Sequence, residues 1–411
     1  MKSTIAVLAT LDTKGPEAGY LRDRLRDRGL DAVIIDCGIL EPPLDTAADV
    51  SSDEVARHSG SSLAHLRESG TRGIAVAAMR TMLADYVEHL YTEGRIAGGI
   101  GIGGAEGAVM TAGALMRLPI GVPKIVISPI ASGRHEFGPL VGTRDMMVIH
   151  SVVDILGLNQ IARQIFDNAA AAVAGMVEHG RTSPQPGESA DRTVAVTMLG
   201  NTTRAVMALR DELTKAGFTT VVFHSNGVGG RAMEELAGEG HFRGVVDFTT
   251  NEVTDPLVGG IHDGGPDRLR IVGQLGLPQV VVPGCIDFAV FEPSQIPPAL
   301  ANRPSYDHNP EFRLIRTSPE DMLTIAAVFA ERLNQARGPV RVAIPTQGLS
   351  IPNVPGGPFW DPEADAGFRD VLSKELREDI TVSTHDHHVN DPEFGRLVAQ
   401  LFLDLIQEPP A

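Results

Sequence analysis

Residues 4–15 read TIAVLATLDTKG, and residues 21–38 continue with LRDRLRDRGLDAVIIDCG, a pattern of buried strand, polar turn, amphipathic helix and second strand. The same order returns in TVAVTMLGNTTRA at residues 193–205 and in LRDELTKAGFTTVVFHSNG at residues 209–227. The likeness indicates an internal repeat, although any two βαβ units share this much. A repeat predicts an α/β protein of two doubly wound, Rossmann-like parallel-sheet domains that face each other across a cleft at the carboxyl ends of their strands.

Short runs rich in valine and isoleucine continue the pattern along both halves. They are apolar throughout rather than alternating, which is typical of parallel strands covered by helices on both faces. The strands predicted in this way occupy residues 5–9, 32–36, 74–77, 98–102, 124–128 and 146–149 in the first half, and 194–198, 219–224, 244–248, 279–282, 313–317, 341–345 and 380–383 in the second.

The polar segment EHGRTSPQPGESADR, residues 178–192, separates the two halves. It contains prolines and glycines and has no hydrophobic periodicity, so we interpret it as a linker. An alanine-rich helix is predicted just before it, at residues 159–177. The sequence therefore predicts a nucleotide-binding domain at residues 1–180 and a second α/β domain, for the substrate, at residues 190–411.

Charge and cysteine content restrict the partners and the location. The 411-residue chain has a formal net charge of −17 and no basic run, which argues against nucleic acid or an anionic membrane as the main partner. Its two cysteines, Cys37 and Cys285, cannot form a disulfide framework. No stretch approaches the roughly 18 apolar residues of a membrane span. The expected location is cytoplasmic.

The turn after the first strand is the first candidate for ligand binding. It contains Thr10, Asp12, Thr13, Lys14 and Gly15 and stands where a helix begins. Free N–H groups at a helix N-terminus attract anions, and hydroxyls and a lysine add donors and charge. The turn is neither a Walker A loop nor a dinucleotide fingerprint. The aspartate is equally explained as a helix cap.

Two glycine-containing loops after later strands are further candidates. Glycine lets a backbone approach a phosphate closely, although a tight turn without a ligand has the same composition. Glu106 in the first loop opposes a phosphate unless a metal ion such as Mg²⁺ intervenes. The residues expected to contact a ligand in these loops are Gly103, Gly104, Gly107, Ser132 and Gly133.

Polar residues also follow the predicted strands of the second domain, so they are expected to converge on one sheet edge. His224 and Arg231 lie in a glycine-rich turn, and further polar groups occupy residues 249–252, 283–287 and 308–310. Histidine transfers protons near neutral pH. We therefore assign substrate and acid–base roles to His224, Arg231 and His388. Cys285 has no base near it in the sequence, which disfavours a nucleophilic role.

The run THDHHVND at residues 384–391 invites a zinc or manganese site. It lacks the helical spacing of common metal sites, and neighbouring side chains on an extended chain point to opposite sides. We therefore predict no metal here: His388 faces the ligand, whereas His385 and His387 point away from it.

Several segments together resemble the Tm-1-like ATP-binding family, also called UPF0261. They occur in order over essentially the whole chain: ATLDTKG, EGRIAGGIGIGG, MRLPIGVPKIVIS, FHSNGVGGRAMEEL, HNPEF, DPEAD and NDPEF. The resemblance implies a Rossmann-like N-terminal domain that binds ATP, a second α/β domain and a homodimer. It places the nucleotide against residues 10–15 and 103–107. Members usually read GGSGGT at the second loop, where this chain reads GGAEGA.

The functional hypothesis is a nucleotide-binding enzyme that acts on a small carboxylate or sugar acid held between the domains, with ATP and Mg²⁺ as its cofactors. A metal-assisted hydrolase or C–C lyase that uses no nucleotide is the first alternative. A non-enzymatic ligand sensor is the second. In each case the expected partner is a small anionic ligand rather than nucleic acid or membrane.

Overall fold

The computed structural model describes residues 2–40, 42–68, 70–131, 140–180 and 190–407. The chain divides into two compact units, Met1–Pro184 and Gln185–Ala411. None of the described helices is long and apolar enough to cross a membrane.

The N-terminal unit is a parallel sheet with helices on both faces. Its strands are Thr4–Ala9 (β1), Asp31–Asp36 (β2), Gly99–Ile102 (β3), Lys124–Ser128 (β4) and Met147–His150 (β5). Its helices are Leu11–Asp27 (α1), Ser52–His58 (α2), Leu63–Arg67 (α3), Arg72–Thr92 (α4), Ala105–Leu115 (α5) and Gln160–Gly180 (α6). The strand order is β2-β1-β3-β4-β5. Helices α1 and α6 cover one face, and α2 to α5 cover the other.

The C-terminal unit contains nine strands in two sheets. They are Thr193–Met198 (β6), Thr219–His224 (β7), Gly244–Asp247 (β8), Gln279–Val281 (β9), Phe288–Phe291 (β10), Ser305–Asp307 (β11), Arg313–Arg316 (β12), Val340–Pro345 (β13) and Thr381–His385 (β14). The larger sheet is parallel, in the order β14-β13-β9-β8-β6-β7. The smaller one is antiparallel, in the order β10-β12-β11.

Helices cover both faces of the larger sheet. They are Thr203–Lys215 (α7), Gly229–Gly238 (α8), Asn251–Val258 (α9), Ile271–Gln274 (α10), Pro319–Leu333 (α11), Pro362–Glu375 (α12) and Pro392–Leu405 (α13). Helices α7 and α13 pack on one face, and α8, α10, α11 and α12 pack on the other.

The two parallel sheets share one topology. The order β2-β1-β3-β4-β5 of the first unit recurs as β7-β6-β8-β9-β13 in the second, which adds β14 at its edge. The prediction of two doubly wound, Rossmann-like α/β domains is confirmed.

One predicted strand is helical in the structure, and another belongs to a different sheet from the one expected. The apolar run at residues 74–77 lies inside α4, because its buried positions recur at helical spacing in Ala75, Met79 and Leu83. The Thr71 hydroxyl caps this helix by accepting a hydrogen bond from Ile74 N–H at 3.3 Å. The strand predicted at residues 313–317 exists as β12, but it pairs antiparallel with β10 and β11 instead of joining the parallel sheet.

Candidate functional site

A cavity of about 790 Å³ lies at the carboxyl ends of β1, β2 and β3 in the N-terminal unit. The residues that follow these strands, with others from α3 and α4, form its wall. Doubly wound sheets bind ligands in this position. The polar and charged lining residues are Thr10, Asp12, Thr13, Lys14, Arg67, Thr71, Arg72 and Glu106, and the apolar ones include Ile39, Leu40, Leu66, Ala75, Val76 and Met110.

The turn after β1 is one helical turn followed by a kink. The N–H groups of Thr13 and Lys14 donate to Thr10 O, at 3.1 and 2.9 Å. Lys14 then leaves helical geometry, with φ −124° and ψ 19°, before Pro16 starts the longer part of α1. The Leu11 N–H donates to Asp36 Oδ1 at 3.0 Å, which ties the turn to the end of β2. Lys14 thus stands at the kink, in the cavity wall.

The start of α5 supplies backbone donors to the same cavity. Ala108 is the first residue of this helix whose N–H bonds to a preceding carbonyl, that of Gly104 at 3.0 Å. The N–H groups of Ala105, Glu106 and Gly107 have no backbone acceptor within the described part of the chain, as first-turn geometry requires. Such a helix start is an anion-binding arrangement.

Two of the predicted phosphate-binding glycines have a packing role instead. A Cβ on Gly15 would lie 1.7 Å from Leu44 O, and one on Gly103 would lie 2.5 Å from the carbonyl carbon of Gly107. Neither glycine lines the cavity, whereas Gly104 and Gly107 do. Ser132 and Gly133, the candidates in the third loop, lie outside the described residues.

Glu106 is paired with an arginine that the sequence did not single out. Arg72 Nη2 lies 2.7 Å from Glu106 Oε2, and both side chains are exposed at the cavity. Arg67, in the same wall, donates from Nε to Ile39 O at 2.6 Å. Three cationic side chains and two carboxylates therefore face this cavity within the described chain. Arg72 therefore offsets the negative charge of Glu106 at the cavity.

Asp36 and Cys37, at the end of β2, are both buried. Burial raises the pKa of the Asp36 carboxyl, and it raises that of the Cys37 thiol well above its usual value. Cys285 in the other unit is also fully buried, and burial likewise raises its pKa. Both thiols are therefore protonated at neutral pH, and neither has the thiolate character of a nucleophile.

The C-terminal unit has a cavity of its own, of about 350 Å³. It lies at the carboxyl ends of β6 and β7, and the antiparallel sheet forms its far wall. His224 lines it, as do two histidines from other loops, His262 and His308. The sequence placed His224 and residues 308–310 at this sheet edge but missed His262, which follows α9 rather than a strand.

His262 is held in a defined orientation. Its backbone N–H donates to Asp255 Oδ1 at 2.9 Å, and its Nδ1 lies 3.3 Å from the Asn251 amide nitrogen. Burial, together with the neighbouring His224 and His308, lowers the pKa of His262 to about 4. The imidazole is therefore neutral at pH 7. Asn251 occupies Nδ1, which leaves Nε2 for other partners.

A buried ionic cluster lies beneath the turn that carries His224. Arg268 Nη2 donates to Asp247 Oδ1 at 2.7 Å, and its Nε donates to Glu252 Oε2 at 2.8 Å. The other oxygen of Glu252 accepts from the N–H groups of Gly227 and Gly230, at 2.8 and 3.2 Å. The carboxylate thus fixes the β7–α8 turn while Arg268 balances its charge.

The other predicted catalytic residues lie elsewhere in the unit. Arg231 is in α8, near Gly265, and does not line the second cavity. His388 accepts from Asn390 N–H at Nδ1 and donates from Nε2 to Ser350 O, at 3.1 and 2.8 Å. Both ring nitrogens of His388 are thus used to hold loops together, and it too lies outside the cavity lining.

The remaining histidines of the 384–391 run form no metal-binding group with His388. The rings of His385 and His387 both lie near Phe394, with centroids 6.1 and 6.4 Å from it. No group of three His, Cys, Asp or Glu side chains placed to hold a metal ion occurs among the residues that the structure describes.

Comparison with known proteins covers both units. The N-terminal domain model of the family described as "Uncharacterised protein family (UPF0261)" matches residues 3–182, and its C-terminal domain model matches residues 191–406. A UPF0261 protein of Clostridium tetani is 35% identical over 99% of this chain and 100% of its own length. UPF0261 protein mlr3387 of Mesorhizobium japonicum is 36% identical over 98% of each chain. The ToMV resistance protein Tm-1(GCR237) of Solanum lycopersicum is 39% identical over 81% of this chain. The matched region covers 45% of the length of that protein.

Proposed function

This chain belongs to the UPF0261 family, and we propose that its N-terminal unit binds a nucleotide such as ATP. The observation that carries the proposal is the cavity at the carboxyl ends of β1, β2 and β3, where Lys14 and the start of α5 share one wall. Its volume of about 790 Å³ falls within the range of cofactor sites.

The cavity wall contains both polar and apolar residues, and a nucleotide needs both. Lys14, the two threonine hydroxyls of the first turn and the free N–H groups of α5 suit the phosphates. Ile39, Leu66, Val76 and Met110 offer an apolar surface for the base. Asp12 is the lining carboxylate that suits an Mg²⁺ ion bound to the phosphates.

The Glu106–Arg72 pair adjusts the charge of the site. While Arg72 neutralises Glu106, the helix start can attract an anion. An incoming phosphate also offers Arg72 a second partner. The affinity for the nucleotide should therefore change when either Glu106 or Arg72 is substituted. We also propose that the chain is an enzyme that acts on a small carboxylate or sugar acid, with His224 of the C-terminal unit as its acid–base candidate.

Isothermal titration calorimetry with Mg²⁺–ATP tests the nucleotide proposal. We expect saturable binding by the wild-type protein, and binding about 10- to 100-fold weaker in Lys14→Ala, because a lost hydrogen bond to a charged group costs about 1.5–3 kcal/mol. Adenosine should bind more weakly than ATP to the wild type and equally to both proteins. The matched control is Lys374→Ala, at an exposed lysine of the other unit.

Two further variants test the role of the ion pair. Glu106→Gln removes the charge that opposes phosphate and should tighten ATP binding, whereas Arg72→Ala leaves Glu106 uncompensated and should weaken it. No heat of binding at millimolar ATP, in the wild type and in Glu106→Gln alike, would remove the nucleotide function from this chain.

A further inference from the structure

We propose that the cavity of the C-terminal unit is a binding site for a small organic monocarboxylate with an apolar body, and that His262 and Asn201 donate hydrogen bonds to its carboxylate group. This proposal specifies the substrate class of the proposed enzymatic activity and rests on that activity. It does not depend on nucleotide binding. It lies at the carboxyl ends of β6 and β7, which correspond in topology to β1 and β2 beside the N-terminal cavity.

Asn201 presents unused donors to this cavity. The residue lines the cavity and is only 5% exposed. Its Oδ1 accepts a hydrogen bond from Ile351 N–H at 3.0 Å. The amide NH₂ group is therefore the free part of the side chain, with no partner among the described residues. A ligand oxygen in the cavity can accept hydrogen bonds from this NH₂ group.

His262 supplies a second group to the cavity. Its Nδ1 is occupied by Asn251, so Nε2 is the ring nitrogen left for a ligand. In the tautomer that carries its proton on Nε2, the neutral imidazole donates a hydrogen bond to an oxyanion without carrying a charge into an apolar site. His224 and His308 lie in the same lining and are exposed, so they can contact the ligand from the mouth of the cavity.

The charge of the lining selects among ligands. The described lining contains three histidines and three asparagines but no carboxylate, lysine or arginine. A cationic ligand would find no counter-charge there. A phosphate dianion would lack the cations that usually bind it. A singly charged carboxylate can be held by neutral donors alone.

The remaining wall is apolar and favours a hydrocarbon or ring on the ligand. Two aromatic rings and several aliphatic side chains form this wall. The apolar lining residues are Leu199, Ile261, Phe288, Val290, Phe312 and Leu314. The ring of His262 stands edge-to-face with that of Phe312, with centroids 6.2 Å apart, so the polar and apolar walls meet at this histidine.

Benzoate, benzamide and benzamidine form a set of probes that share size and shape and differ in charge. Ligand-observed saturation-transfer NMR on the full-length protein should show saturable binding of benzoate, weaker binding of benzamide, and none of benzamidine. Preferential binding of benzamidine, or binding of all three to the same extent, would overturn the proposal.

Asn201→Asp is the decisive variant. Aspartate keeps the acceptor for Ile351 N–H and replaces the NH₂ donors by a negative oxygen. Benzoate should then bind at least tenfold more weakly, while benzamidine should gain affinity. Asn168→Asp, at an exposed position of α6, adds the same charge to the other unit and should leave benzoate binding unchanged.

Mg²⁺–ATP titration of the same Asn201→Asp sample separates the two proposals. Unchanged ATP binding with lost benzoate binding supports the carboxylate site, provided that the thermal unfolding of the variant matches that of the wild type and so shows that the C-terminal unit is folded. Benzoate binding that persists in Asn201→Asp contradicts the carboxylate site, whatever the result with ATP. A wild type that binds benzoate but not ATP contradicts the nucleotide function alone.

Discussion

Asp255 is a fully buried carboxyl group that joins two segments of the C-terminal cavity. Its Oδ1 accepts from His262 N–H at 2.9 Å and from Val290 N–H at 3.0 Å, and both of these residues line the cavity. Its Oδ2 has no partner among the described residues. Burial raises the pKa of this carboxyl to about 8, and Glu252 adds to the effect. Asp255 is therefore protonated in the folded protein at neutral pH.

Asp255→Asn tests this protonation through the pH dependence of stability. Between its ordinary pKa of 3.8 and about 8, the folded wild type holds a proton that the unfolded chain has released. The free energy of unfolding therefore falls as pH rises through this window. Asparagine keeps the Oδ1 acceptor and cannot ionise. From pH 5 to pH 8 the variant should gain about 1–3 kcal/mol relative to wild type, measured by urea unfolding at both pH values.

The comparison at two pH values cancels the contributions of other buried carboxyls, such as Glu234, because both proteins contain them. A variant whose stability relative to wild type is the same at pH 5 and pH 8 would show that Asp255 is ionised in the fold. Asp370→Asn, at an exposed carboxylate of α12 that does not contribute to the pKa of Asp255, should give no such pH-dependent difference.

Single residues also show where prediction from sequence stops. His224 follows a strand, so the topology alone placed it at the ligand-binding edge. His262 has no such signal, because its position depends on hydrogen bonds to Asp255 and Asn251, which are set by tertiary packing. The histidine pattern at residues 384–391 contains no sign that His388 bonds to Ser350 O, which lies 38 residues earlier in the chain.

At the scale of elements, α1 and the segment after β2 pack in direct backbone contact beside the N-terminal cavity. Leu44 N–H donates to Leu11 O at 2.8 Å, and the carbonyl of Leu44 lies where a Cβ on Gly15 would be. Gly15→Ala should therefore force α1 and this segment apart and lower the unfolding free energy by about 1–3 kcal/mol. Thermal and urea unfolding measure the loss, and ATP affinity should fall with it.

Gly175→Ala is the matched control in α6, where a Cβ meets nothing within 4 Å. Alanine in a helix interior should there stabilise the protein by about 0.5–1 kcal/mol. Equal stability changes in the two variants would show that the contact between Gly15 and Leu44 is loose.

The pattern of apolar residues located most elements, and its failures have a physical cause. A four-residue apolar run suits a strand or one side of a helix equally, and at residues 74–77 the longer helical spacing decides for α4. This error also concealed Arg72, which proved to be the partner of Glu106. The antiparallel arrangement of β12 depends on β10 and β11, short strands that the pattern did not reveal.

At the scale of the whole molecule, each unit has a complete core of its own. In both units helices cover the two faces of the central strands, which are therefore buried within their own unit. The edge strands β5 and β7 are largely exposed. The repeated strand order was predictable because strand and helix patterns recur in the sequence. The antiparallel sheet β10-β12-β11, which closes the second cavity, was not predictable from the repeat because it occurs in one unit alone.

Limited trypsin digestion tests this independence. The segment at residues 178–192 is rich in polar residues, proline and glycine and offers Arg181 and Arg192 to the protease, so we expect the first cuts there. Mass spectrometry should identify one resistant fragment that ends within this segment and one that begins within it. Because the central strands of each sheet are covered on both faces, each fragment should keep a cooperative thermal transition, and the N-terminal one should still bind ATP. A resistant fragment spanning residues 150–230, or fragments that aggregate once separated, would show that the two cores are one folding unit.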